Sequence, residues 1–312
     1  MRILITGGTG AIGSLTTRKL IDDGHEVVLY DVAADRRFLG ALDDVTLIEG
    51  DVLAGSELRA AAEGADVLVH LAYSLGEATN LRPAEASELN VMGTVNAFEA
   101  ARAAGVPRLV TSSSVAIYGA DARYPAADLP LREDAAPLIA DGMPLYGAGK
   151  LYLEKLADRY REQFGVLGLG LRPSPVYGLG GRRGVSGWLA GIVESAVREG
   201  AAVIDKDIHN LSLVYVDDVA TQFAALATIP AERIQTRYFF NTGGSLTSMR
   251  EFARTLELIA PGCTVTVEGP SLPDLAGLPG SVDDAAISAL VGPRTFDLES
   301  GLRHWVASLP AQ

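Results

Sequence analysis

The stretch Ile3-Leu4-Ile5-Thr6-Gly7-Gly8-Thr9-Gly10-Ala11-Ile12-Gly13 decides the fold. A short apolar, β-branched run reads as a buried strand, and it passes without a linker into a glycine cluster that opens a helix. Gly8, Gly10 and Gly13 form G-x-G-x-x-G in that context. A side chain at Gly8 or Gly10 would obstruct the tight turn or keep a pyrophosphate from the helix N-terminus, where free N–H groups and the helix dipole attract anions. Gly13 is expected to let helix and strand pack closely. Asp31 closes the next apolar run. A carboxylate there accepts hydrogen bonds from both hydroxyls of an adenosine ribose and repels a 2′-phosphate. The segment predicts a dinucleotide site that takes NAD in preference to NADP, with Arg36 and Arg37 as an alternative partner for the phosphate of NADP.

Apolar runs and alanine-rich stretches keep alternating beyond this turn. Strands are expected at Arg2–Thr6, Val27–Tyr30, Val45–Glu49, Val67–His70 and Arg108–Ser112, with helices at 11–23, 56–62 and 84–104. Each helix runs to a glycine, Gly24, Gly64 or Gly105, that can take a left-handed cap. This alternation builds right-handed βαβ units and a parallel sheet. A Pro- and Asp-containing loop over 120–144 interrupts it, and a loop of that length borders a site more often than not. The next helix, 146–164, has Leu153, Leu156, Tyr160 and Phe164 on one stripe expected to pack inward, with Glu154, Asp158 and Arg161 expected to face water. A strand at 166–171 resumes the sheet, and helices near 188–199 and 297–308 follow. The expected architecture is α/β: a Rossmann-type doubly wound parallel sheet with a smaller carboxy-terminal substrate lobe. Residues 1–172 form the dinucleotide domain, with strands in about 212–244 returning to it; 173–211 and 245–312 form the lobe.

Composition narrows the function classes. With 26 Lys and Arg against 39 Asp and Glu, the net charge of -13 repels phosphate backbones and anionic membranes, so neither nucleic acid nor membrane is an expected partner. Cys263 is the single cysteine, so no intrachain disulfide and no cysteine-built metal site is possible, and no metal is expected. His70 and His209 read as structural. The first apolar run enters a core strand rather than resembling a leader, and a cytoplasmic location is expected.

Tyr146-Gly147-Ala148-Gly149-Lys150 sets a phenol and an ammonium four residues apart, on one face of a helix. A free tyrosine titrates near pH ~10, and making it a base near neutrality takes about three units, worth ~4 kcal/mol. A lysine charge at ~4 Å in an effective dielectric of ~20 supplies about that much, so Lys150 is expected to activate Tyr146. Ser114, closing the Ser112-Ser113-Ser114 strand end, would donate a hydrogen bond to a substrate oxygen as it gains charge.

These segments, with His70-Leu71-Ala72, Asn90-Val91-Met92-Gly93-Thr94 with Asn96, Leu171-Arg172-Pro173, Val176-Tyr177-Gly178 and Val214-Tyr215-Val216-Asp217-Asp218, closely resemble the extended short-chain dehydrogenase/reductase, or NAD-dependent epimerase/dehydratase, family. The resemblance spans nearly the whole chain. It implies Ser114, Tyr146 and Lys150 as the catalytic triad, and Gly7, Gly10, Ala11, Ile12, Gly13 and Asp31 as the dinucleotide cradle. Asp51, Val52, Leu71, Ala72, Asn90 and Ser112 would line the cofactor's path, together with Pro173, Val176, Tyr146 and Lys150. It also implies a homodimer through the Tyr146 helix and the helix before it.

The pattern breaks where substrate is read. Nucleotide-sugar enzymes of the family commonly have an asparagine ahead of the V-Y-G stretch and an arginine before the V-D-D stretch; Pro175 and Leu211 stand here. Loss of a polar contact and of a phosphate-binding cation argues against a nucleotide sugar. Ser114-Val115-Ala116 replaces the acid pair that sugar dehydratases use for elimination. Tyr73, Ser74, Ser114, Tyr118, Pro175 and Trp188 are the candidate substrate contacts for a small organic molecule, Trp188 being equally a core residue. Arg182 and Arg183 either anchor a carboxylate or are solvated. The expected reaction is net hydride exchange with a secondary alcohol or ketone; the alternatives are an epimerase with transient oxidation and tightly bound NAD, and a dinucleotide sensor without catalysis.

Overall fold

The computed structural model describes residues 1–33, 45–75, 81–138, 143–180 and 184–309. They divide into two compact units. The first comprises Met1–Ser114, Pro144–Arg172 and Ala220–Phe240, the second Val115–Met143, Pro173–Val219 and Asn241–Gln312.

In the first unit, β1 (Arg2–Thr6) leads through α1 (Ala11–Asp22) to β2 (Glu26–Asp31). Then follow β3 (Thr46–Glu49), α2 (Gly55–Ala62) and β4 (Val67–His70). The next helix is broken into α3 (Pro83–Ser87), a π-helical turn at Glu88–Met92 and α4 (Gly93–Ala104), ending on Gly105 in the left-handed region at φ 72°. β5 (Arg108–Ser112), α5 (Leu145–Phe164) and β6 (Leu167–Arg172) complete the series. With a strand from the carboxy-terminal half, Phe239–Asn241, these make a seven-stranded sheet. From that strand inward the order is Phe239–Asn241, β6, β5, β4, β1, β2, β3. The pairings from β3 to β6 are all parallel.

Chain order reverses between β1 and β4, so right-handed crossovers send α1 to one face and α2 and α4 to the other. Leu4, Val28, Leu58, Phe98, Leu153, Ala157 and Tyr160 form the core on the second face. The same reversal sends the helices that follow β1 and β4 to opposite faces, and the strands' carboxyl ends at this point are where ligands of such sheets bind.

On α5 the expected stripe is off by a side chain at each end. Phe164 is 49% exposed, whereas Glu154, expected in water, is only 5% exposed. Helical period alone cannot show this, because the inward face of α5 meets a buried cation rather than only apolar side chains. The loop over 120–144 contains short 3-10 turns at Asp121–Arg123 and Ala126–Asp128.

The second unit contains β7 (Val176–Tyr177), α6 (Leu189–Glu199), β8 (Ala201–Ile204) and the long β9 (Asp207–Tyr215), which pairs with β7. Asp218, from the V-D-D stretch, accepts backbone N–H bonds from Thr295 (2.7 Å) and Phe296 (3.1 Å). That carboxylate ties the carboxy-terminal segment down and has a structural task. Among the described residues no helix is long and apolar enough to cross a membrane.

Candidate active site

The glycine turn is a backbone construction. Gly7 has φ 69°, and a Cβ there would lie 2.7 Å from the amide nitrogen of Ala72 and 2.8 Å from the carbonyl carbon of Leu71. The loops after β1 and β4 therefore touch through backbone, which only glycine permits. A Cβ on Gly8 would meet Leu29, and one on Gly13 would lie 2.5 Å from the Gly7 carbonyl oxygen, so Gly13 is needed against its own turn rather than against the strand as expected. Gly10 differs: its Cβ would meet only the Gly7 carbonyl oxygen, at 3.3 Å, and the residue is exposed at the start of α1. The open approach lies in front of the N–H groups that begin α1 and lack intrahelical partners. A dinucleotide pyrophosphate fits such a cradle.

Asp31 Oδ2 accepts from the Thr9 amide (3.0 Å) and hydroxyl (2.7 Å), so the carboxylate at the end of β2 is locked to the glycine turn. Thr9 was not singled out from sequence; a hydroxyl inside a glycine fingerprint is its only signal. Asp51 is exposed and caps the Leu53 amide, and Tyr30 donates to its carbonyl. Val52 is buried beneath Gly93, while Asn96 donates to the Val52 carbonyl (2.9 Å) and holds this turn. Asn90, in the π turn, pairs with the Ser74 backbone: it accepts from the amide at 2.7 Å and donates to the carbonyl at 3.1 Å. That pair of hydrogen bonds fixes the chain after β4, where Leu71, Ala72 and Tyr73 lie.

At the end of β5 the three serines do different work. Ser112 offers its carbonyl to Lys150 Nζ at 2.7 Å. Ser113 is buried and donates to Glu154 Oε1 at 2.5 Å, and Glu154 in turn takes a two-pronged contact from Arg172, Nε at 2.8 Å and Nη2 at 2.7 Å. Ser114 is hydrogen-bonded to the Tyr146 hydroxyl. Ser114, Tyr146 and Lys150 thus converge, and Glu154, one turn past Lys150 on α5, clamps the serine strand from below. Glu154 and Arg172 escaped sequence reading. Their signal is the four-residue step from Lys150 to Glu154 and the arginine closing β6.

Burial governs the electrostatics. It pushes the Tyr146 phenol up to about 12, and the Ser114 hydrogen bond pulls only partly the other way. Burial also holds the Lys150 ammonium well below its usual range. In the free chain burial therefore outweighs what eases the ionisation of Tyr146. The lysine is 1% exposed, lacks a carboxylate partner among the described residues, and directs its charge to the Ser112 carbonyl and to the face of Tyr73. His70 is driven down to about 3, by burial first and then by the Lys150 charge, and its ring nitrogens meet Thr6 (2.8 Å) and Thr94 (3.4 Å). It is a neutral structural histidine.

Several candidate substrate residues are committed elsewhere. Tyr118 is fully buried and donates to Asn241 (2.9 Å), because a buried phenol needs an acceptor. Pro175 is buried, and its carbonyl takes the Val214 amide as β7 joins β9. Pro173 likewise accepts from the Val115 amide, and half-buried Val176 lies in β7. Trp188 donates to the Val185 carbonyl and lies under Lys206, 4.8 Å from the ring centroid. Tyr73 is turned to Lys150 and Tyr146. Arg36, Arg37, Arg182 and Arg183 lie outside the described residues.

A parallel sheet with a reversed strand order and a glycine cradle at its switch point defines a Rossmann-type dinucleotide enzyme fold. The chain belongs to the NAD dependent epimerase/dehydratase family, whose family model matches residues 3–240. Its relatives are both dehydrogenases and epimerases. A 3-beta-hydroxysteroid dehydrogenase of Mycolicibacterium neoaurum is 28% identical over 81% of this chain and 68% of its own length. A UDP-glucose 4-epimerase of Erwinia amylovora is 34% identical over 51% of this chain, an alignment that spans about half (48%) of that relative. In structure, the UDP-glucose 4-epimerase of Thermus thermophilus in complex with NAD superposes with a TM-score of 0.82 at 25% identity, covering 98% of both chains.

Proposed function

We propose that this chain exchanges a hydride between NAD(H) and a secondary alcohol or ketone of a small substrate, with Tyr146 as the acid/base, Lys150 as its cationic neighbour and Ser114 as donor to the substrate oxygen. The observation that supports the reading best is the convergence of the Ser114 hydroxyl, the Tyr146 phenol and the Lys150 side chain at the end of β5. Gly7, Gly10, Ala11, Ile12, Gly13 and Asp31 would hold the dinucleotide. Asp51, Val52, Leu71, Ala72, Asn90 and Ser112 would follow its length. When bound, NAD takes up or returns the hydride of a carbinol carbon. In reduction, Tyr146 Oη gives its proton to the carbonyl oxygen while Ser114 Oγ donates to the same atom; in oxidation, Tyr146 Oη receives the hydroxyl proton.

NAD is favoured over NADP because Asp31 carries its negative charge at the ribose end of the cradle. A substrate other than a nucleotide sugar is supported by Leu211, which lies buried in β9 where a phosphate would need a cation. A cytoplasmic homodimer through α4 and α5 completes the reading, supported by the exposed apolar Tyr152 and Phe164 on α5. The second functional reading, an epimerase that keeps its NAD, is supported by the epimerases among the relatives.

One experiment separates them. A panel of alcohols, ketones and sugar nucleotides is followed at the reduced-nicotinamide absorbance with either dinucleotide. Net change with a non-nucleotide substrate, greater with NAD(H), is expected; inversion of a sugar nucleotide without net change would favour the epimerase. Tyr146→Phe should lower turnover by roughly 10³-fold or more and leave dinucleotide affinity intact. A near-normal rate in that variant removes the proposed acid/base.

A further inference from the structure

Lys150 is a buried cation whose partners are unusual. Its Nζ lies 3.2 Å from the centroid of the Tyr73 ring, donates to the Ser112 carbonyl at 2.7 Å, and is 5.4 Å from the Tyr146 ring centroid. From β5 it faces that carbonyl, from the segment after β4 the Tyr73 ring, from its own helix Tyr146, and from β4 the neutral His70. Tyr73 also stands perpendicular to Tyr146, at 5.8 Å and 89°. Space for it is made by Gly149: a Cβ on that residue would lie 2.8 Å from the Tyr73 hydroxyl, the single atom it would meet.

We propose that Tyr73 is a positioning residue: its ring face holds the Lys150 side chain as an ammonium beside Tyr146, and Gly149 is the residue that admits it. This rests on the acid/base reading of Tyr146 given above. The physical reason is that a buried lysine without a carboxylate loses its proton easily, and an aromatic face is a partner that stabilises the charge without adding a negative one. A carboxylate in the same place would cancel the field that eases ionisation of the neighbouring phenol. The quadrupole of a neutral ring leaves most of that field intact. Tyr73 is itself suited to remain neutral, because burial and the neighbouring Tyr146 push its own phenol upward.

The test is an ultraviolet titration of tyrosinate in the full chain with saturating NAD⁺. Each protein is compared with its Tyr146→Phe counterpart, so that the difference isolates the Tyr146 step. In Tyr73→Leu, which keeps apolar bulk and loses the π face, Lys150 deprotonates at lower pH. The Tyr146 step should then move upward by about one pH unit, a roughly tenfold change in its ionisation. Tyr73→Phe, which retains the face, should titrate within a few tenths of a unit of the wild type. An unchanged far-ultraviolet circular dichroism spectrum and a cooperative urea transition show that the variants are folded. Should Tyr73→Leu not fold, Gly149→Ala, in a helix that favours alanine, presses on the Tyr73 hydroxyl and should raise the step, while adding Tyr73→Phe to it should bring the step back. If the wild type has no Tyr146 step below the ordinary tyrosine range, the acid/base reading fails and this proposal with it. If the wild type has one and the Leu and Ala variants titrate at the same pH, the role of Tyr73 alone is overturned.

Discussion

The glycine turn and the inward face of α5 both border the candidate site, yet they are held by opposite means. The turn is made of backbone: Gly7 against Ala72, Gly13 against Gly7, with one carboxylate, Asp31, bonded to Thr9. The α5 face is made of buried charge: Lys150 on a ring and a carbonyl, and one turn on, Glu154 in the fork of Arg172 with Ser113 attached. Close backbone contact tolerates no added atom, whereas buried charge tolerates no lost partner. The two regions should therefore fail under different substitutions.

The largest effect is expected at the charged face. Glu154→Leu takes the carboxylate from the two-pronged contact that holds buried Arg172, and should cost about 3–5 kcal/mol in urea unfolding. Adding Arg172→Met should recover most of it, since replacing both partners removes the buried charge as well as its carboxylate. If the double variant is as unstable as the single one, the loss comes from packing and the contrast with the turn weakens.

At the turn, Gly7→Ala should cost about 1–3 kcal/mol through its positive φ, with added strain against the Ala72 backbone. Gly10→Ala should move the unfolding midpoint far less, because its Cβ would meet only the Gly7 carbonyl oxygen, at 3.3 Å, while weakening NAD binding roughly tenfold or more. Equal losses of stability in the two variants would show that Gly10 serves the turn and not the ligand.

The smallest effect at neutral pH lies between the two regions, at His70. Its folded pKa, about 3, is below the ordinary value, so the stability it contributes is present above pH ~6.5 and is lost as pH falls toward 3. One pH unit below ~6.5 this costs about 1 kcal/mol, rising by ~1.4 kcal/mol for each further unit. His70→Gln should flatten that part of the stability curve measured by denaturant midpoints from pH 7 to 4.

Local rules carried most of the fold. The strands β1, β4 and β5 fall where alternation and glycine punctuation place them, because a parallel strand buried on both faces leaves a run that few other structures can use. Helical spacing set Tyr146 and Lys150 on one face, whereas the convergence of Ser114 with them was implied by the family resemblance. The environment of those side chains was not legible in the sequence. Helical period put Glu154 in water, and Coulomb's law applied to two residues alone made Tyr146 a ready base.

What the chain determined by itself is therefore the order of strands and helices, the glycine cradle, the acid at the end of β2 and the four-residue step from phenol to ammonium. All of these depend on neighbours in sequence. Only the tertiary structure decided that Glu154 would meet Arg172, that Tyr118 would turn to Asn241, and that Lys150 would rest on Tyr73 instead of a carboxylate. Burial sets the cost of each charge, and burial is a property of which distant segments close over it.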